Sequence, residues 1–183
     1  MSKLIRGQFL LANARLKDPN FFKAAVLVIE HGKDGAMGLV VNRPSSVTLA
    51  QALSGHFDLE DKGELVYVGG PVEPSALFIV HTAVDLDPSE RPVLPGLTIG
   101  GSTEIFEQVI RSEGGIRFRV FFGCAGWGPG QLEGELARGD WQITDAGVDH
   151  VFEADPYCLW EKLQQKTFEE HRILPHTPHP EWN

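Results

Sequence analysis

The densest chemistry in the chain lies in VFFGCAGWGPGQLEGE, residues 120–135, where a strand-like run enters a glycine-rich stretch and then a helix start. Gly123, Gly126, Gly128 and Gly130 permit backbone conformations and close approaches denied to larger residues, and a helix start exposes amide donors. Together they could cradle a small anion. The stretch is neither a Walker loop nor a GxGxxG turn, because the Lys-Ser/Thr pair is missing and Leu132 stands near the last glycine position. The alternative is a sharply turned connection locked by Trp127 against the core. Asn42 and Arg43 could join the same site, since arginine offers five donors to a carboxylate or phosphate. Gly69 and Gly70, in GGPV, could line that crevice. The competing account makes Asn42-Arg43-Pro44 a structural link between a strand and a helix.

A second chemistry centres on Cys124, a nucleophile if a glycine turn exposed it beside a helix start with His31 or His81 as base. Both histidines follow apolar runs, so each could equally be a strand-end residue satisfied by the backbone. No GxSxG supports a serine hydrolase. His171, His176 and His179 are interleaved with Pro175, Pro178 and Pro180, which fix no tetrahedral geometry, and HExxH is absent, so no metal site is expected. Glu133 and Glu135 sit two apart on a helix start and point to different faces, with Glu133 supporting the first turn.

The elements that must position these groups read mostly as strands. AAVLVIEH (24–31) and MGLVVN (37–42) form an apolar hairpin through GKDGA, and Pro44 stops the second strand. Thr48 and Gln51 form a capping box for a short helix over 49–54. LVYV (65–68), ALFIVH (76–81) and RFRVFF (117–122) are further strands, and 82–95, with three prolines and three acidic residues, is an exposed excursion. Ser102 caps a helix with Ile105, Phe106, Val109 and Ile110 on its apolar face; Gly114 and Gly115 end it. Pro129 opens a helix carrying Leu132 and Leu136, residues 141–143 and 148–152 suggest a hairpin, and Asp155 caps a helix to about Phe168 that buries Leu159, Leu163 and Phe168. From about residue 171 the prolines indicate an extended tail.

Composition bounds the function. The 183 residues fit one domain spanning 1–183, and 16 basic against 25 acidic side chains give a net charge of −9. That balance excludes a general duplex-DNA binder, which needs a basic surface. Within the first 43 residues the sign reverses to 7 basic against 3 acidic. Two cysteines make no disulfide framework or zinc pair, and neither a signal-type segment nor a long apolar run is present, so a cytoplasmic, non-membrane protein is expected.

The stretches GQFLLANARLKDPNFFKAAVLVIEH, GAMGLVVNRP, YVGGPV with His81, and FFGCAGWGPGQLEGE followed by Trp141 together resemble the bacterial family named for AlgH and YqgE, the UPF0301 or DUF179 proteins. Cys124 stands where that family commonly has an aromatic, and Asn13 and Arg15 flank a position where it often has proline. The resemblance implies an α+β fold of coiled, branching mixed β-sheets with packed helices. Some relatives carry a regulator label, but this chain shows no helix-turn-helix. The expectation is a non-enzymatic regulatory or interaction protein whose partner is an unknown protein or a small anion, with no cofactor. The alternatives are a cysteine- or histidine-dependent hydrolase and an indirect transcriptional regulator.

Overall fold

The computed structural model describes residues 4–83, 86, 90–112 and 115–172. Its strands are β1 (Gln8–Ala12), β2 (Ala25–Gly32), β3 (Gly35–Val40), β4 (Pro44–Thr48), β5 (Leu65–Val68), β6 (Val72–His81), β7 (Arg91–Leu94), β8 (Leu97–Gly100), β9 (Phe118–Trp127) and β10 (Trp141–Asp145). The helices are α1 (Leu49–Ala52), α2 (Thr103–Ile110), α3 (Gln131–Ala137), α4 (Val148–Phe152) and α5 (Leu159–Arg172). The main path runs β10-β1-β2-β3-β9-β6-β8-β7. It is the expected α+β architecture, a mixed sheet with helices packed on it.

The sheet branches at β9. Along one edge β9 pairs antiparallel with β6, from His81 opposite Phe118 to Val72 opposite Cys124. Its other edge is shared: Tyr67 and Val68 of β5 lie parallel to Phe121 and Phe122, and Ala36 to Gly38 of β3 lie antiparallel to Trp127 to Ala125. The short connection from β5 to β6 carries the chain from one edge of β9 to the other, and glycines admit the crossing. A Cβ on Gly70 (φ +153°) would lie 2.3 Å from the Cys124 carbonyl oxygen, and one on Gly123 (φ +62°) 2.7 Å from that of Gly70. Gly69 completes the junction, its amide donating to the Phe122 carbonyl at 2.7 Å and its carbonyl accepting from Val40 at 2.8 Å.

Local signals place several elements. Ala25 to Ile29 are buried, as a continuous apolar strand covered on both faces must be. The capping box of Thr48 and Gln51 and the Ser102 cap both form. Helix α5 buries Leu159 and Leu163.

Other expectations are corrected. Residues 148–152 are helical, not a strand: the His150 ring accepts the Gly147 amide at 3.1 Å and starts α4, while β10 pairs with β1. Gly123 to Trp127 continue β9, and the turn is confined to 128–130. The 82–95 excursion contains β7, held to β8, and the buried Glu90 carboxyl. Helix α5 begins at Leu159, because the Asp155 carboxylate takes the Tyr157 amide in a local turn, and Phe168 is exposed. The tail beyond residue 172, with His176 and His179, lies outside the described residues.

Candidate functional site

Both histidines singled out in the sequence meet carboxylates. His31 Nδ1 accepts the Ile5 amide at 3.3 Å, so its Nε2–H is the donor to Glu133, 3.0 Å away. The Glu133 carboxyl is held below its ordinary value by its own backbone amide and by that histidine. His81, fully buried, lies 3.0 Å through Nε2 from Glu90, whose side chain is only 6% exposed. The His81 Nδ1 has no hydrogen-bond partner among the described residues.

Cys124 joins neither pair. Burial, and then the Glu73 charge, push its thiol upward and disfavour the thiolate. It lies six residues along β9 from Phe118, the partner of His81, which at ~3.3 Å per residue is roughly 20 Å. His31 is two strands across, about 10 Å, and its row meets β9 at Trp127, a further ~10 Å along.

The proposed anion cradle is also divided. Asn42 accepts the Ala25 amide and donates to the Lys23 carbonyl, both at 2.9 Å, and Arg43 donates to the carbonyls of Asn20 and Phe22. These bonds fasten the 18–25 connection to the end of β3. Gly126 sits opposite Met37, and the four positions from Met37 to Val41 at ~3.3 Å each already place the Asn42-Arg43 turn roughly 13 Å away. Gly69 and Gly70 belong to the crossing at β9. The Gly128 amide donates to the Gln131 side chain at 3.0 Å, and Gly130, in the left-handed region at φ +74°, precedes the seven-residue α3. Glu135, on that helix, accepts the indole N–H groups of Trp127 and Trp141 at 2.8 Å each and the Gln131 amide at 2.9 Å. Glu133 and Glu135 therefore serve different partners, as their spacing predicts.

A cleft of about 380 Å³ is where unlike charges converge, with Arg6, Glu30 and Glu90 among its walls. Arg6 precedes β1 and donates to the Pro92 carbonyl at 2.9 Å, which ties it to β7. Glu30 follows a register shift between Val28 and Glu30 on β2, a bulge that re-aims the side chain out of the core. Glu90 reaches in beside Gly100, where a Cβ would stand 2.7 Å from its Oε1, so a larger residue there would have to displace the carboxylate or the Ile105 side chain. Met37, Phe78 and Ile99, each half-buried, supply an apolar wall, and Gly101 and Ser102 at the start of α2 close one end. A second cavity of about 270 Å³ shares Arg6 and Glu30 and adds His31 and Asp34. Among the described residues no group of three or more His, Cys, Asp or Glu side chains could hold a metal ion, and no helix is long and apolar enough to cross a membrane.

Sequence reasoning missed Arg6, Glu30 and Glu90. The first and last are 84 positions apart, and no spacing links them. The available signal was His81 at the end of an apolar run, a buried imidazole in need of a polar partner.

The comparisons agree with the fold. A UPF0301 protein of Thioalkalivibrio sulfidiphilus is 39% identical over 159 residues, covering 85% of each chain. One of Myxococcus xanthus is 39% identical over 165 residues, covering 88% of this chain and 89% of the relative. The solution structure of the AlgH protein from Pseudomonas aeruginosa superposes with a TM-score of 0.76 at 27% identity, covering 96% of this chain and 92% of that one. A Corynebacterium diphtheriae crystal structure, with a TM-score of 0.73 at 23% identity over 90% and 88% of the two chains, shares the fold. With residues 9–171 matching the family model described as AlgH-like, the chain belongs to the AlgH-like DUF179 family, the UPF0301 proteins.

Proposed function

We propose that this protein is a non-enzymatic regulatory or interaction protein that responds to a small ligand bearing an anionic group, held in the cleft over Arg6. The observation that carries the proposal is the bipolar cleft itself: a guanidinium and a buried carboxylate line one crevice with an apolar wall between the strands. Its volume of about 380 Å³ lies within the ~300–1,000 Å³ typical of metabolite sites. The thiol supports binding over hydrolysis, since Cys124 is buried with its thiolate disfavoured and stands away from both histidines. A net charge of −9 favours regulation through a protein partner over direct contact with duplex DNA.

A thermal-shift screen of small carboxylates, amino acids included, and phosphates, with calorimetry on each hit, tests this on the wild type, Arg6→Ala and Arg43→Ala. Loss of a charged hydrogen bond, ~1.5–3 kcal/mol, should weaken a carboxylate hit at least tenfold in Arg6→Ala and leave it unchanged in Arg43→Ala. A hit that responds only to Arg43→Ala would overturn the placement, and a broad set without hits would overturn the function.

A further inference from the structure

The Glu90 carboxylate is fastened from behind and faces the cleft in front. Its side chain is 94% buried, one oxygen meets His81 Nε2 at 3.0 Å, and the imidazole behind it is fully buried with Nδ1 unmet among the described residues. With the carboxylate ionised, Nε2–H donates to it and Nδ1 is an unmet acceptor. Glu90 also lines the cleft, so its carboxylate is presented to whatever the cleft holds, and a cationic group is its natural complement there. The absence of a side chain at Gly100 gives that carboxylate its place beside the open cleft. Glu30, exposed on β2, adds a second negative charge to the same walls.

We propose that the ligand of this cleft is zwitterionic: its ammonium group sits on Glu90 and Glu30, its carboxylate on Arg6, and its aliphatic body against Met37, Phe78 and Ile99. The inference rests on the cleft being the binding site for an anionic group, and adds the cationic end and the apolar body. A simple anion would meet two carboxylates in the same crevice and be repelled by them; a simple amine would meet Arg6. A zwitterion places each pole on its complement, and an ammonium on Glu90 holds His81 in the Nε2–H tautomer.

The probes are L-leucine and 6-aminohexanoate, with close and distant charges, and hexanoate and hexylamine, each lacking one charge. Affinities are measured by two-dimensional NMR titration of the full chain. At least one zwitterion should bind tenfold or more tightly than either control, with shifts confined to the cleft residues. Glu90→Gln, which still accepts from His81, should reduce that zwitterion to the affinity of hexanoate. Glu30→Gln, at an exposed position, should weaken it several-fold and keeps the test valid if Glu90→Gln fails to fold. Hexanoate binding as tightly as both zwitterions, unaffected by Glu30→Gln, would overturn the zwitterion while leaving the anion site standing. No binding by any probe would overturn both.

Discussion

Removal of Glu135 is costly because three donors converge on it. One carboxylate accepts two indole N–H groups, from Trp127 and Trp141, at 2.8 Å each, and the Gln131 amide at 2.9 Å. The indoles are 6% and 4% exposed and meet edge to face with ring centroids 5.8 Å apart, so neither N–H has ready access to water. Glu135→Ala orphans both donors, and at ~1–3 kcal/mol for each buried group left unsatisfied the expected loss is ~2–6 kcal/mol. Against a total of roughly 5–15 kcal/mol for a typical domain, that would unfold a substantial share of a marginal protein. Glu135→Gln retains an oxygen but loses the charge and turns an amide toward Gln131, for an expected ~1–3 kcal/mol. Urea denaturation followed by tryptophan fluorescence measures both, and the indole N–H resonances report the bonds directly. A double-mutant cycle with Trp127→Phe should give a coupling of ~1–3 kcal/mol. A loss below ~0.5 kcal/mol in Glu135→Ala, with both indole resonances unmoved, would refute the reasoning.

Three further outcomes are expected. Gly70→Ala should lower stability by ~3 kcal/mol or more, because its Cβ would stand 2.3 Å from the Cys124 carbonyl at φ +153°; a urea midpoint within error of wild type would show that the strands can part. Trp127→Ala should cost ~3–5 kcal/mol and exceed Cys124→Ser, whose smaller side chain leaves less space behind, as paired denaturation curves will show. His150 is held below its ordinary value of 6.5, chiefly by burial, and Glu133 below 4.5, so the stability each contributes is present above its ordinary value and lost as pH falls through the folded one. Unfolding free energy should therefore decline from pH 7 toward pH 4, and the decline should be shallower between 7 and 5 in His150→Gln and at the acid end in Glu133→Gln.

How much of the fold was legible depends on whether the signal was local. The Thr48 and Gln51 capping box and the Ser102 cap involve groups three residues apart, so they could be read directly and both form. Strand β1 was missed because QFLLA is short, and its place between β2 and β10 is set by partners far along the chain. Gly123 to Trp127 read as a loop because glycine is a poor strand former, whereas here the missing side chains allow two backbones to cross within van der Waals contact. Valines at 148 and 151 look like strand residues, and only the His150 ring on the Gly147 amide shows why the helix wins.

The site was hidden for a different physical reason. Prolines and acidic residues around position 90 predict exposure on average, and that average says nothing about one carboxylate drawn inward by a buried imidazole nine residues away. Conversely, the glycines and Arg43 looked like ligand groups because their chemistry suits anions, yet the same donors and the same freedom of the backbone serve chain crossings and carbonyl partners equally well. What separates the two uses is whether a polar group's partners are all within the chain. Asn42 and Glu135 have theirs, and they hold the fold together. Glu90 differs in its setting: bonded to His81 on one side, it lies on the wall of an open cleft beside Gly100, and that is where the cationic end of an outside molecule would sit.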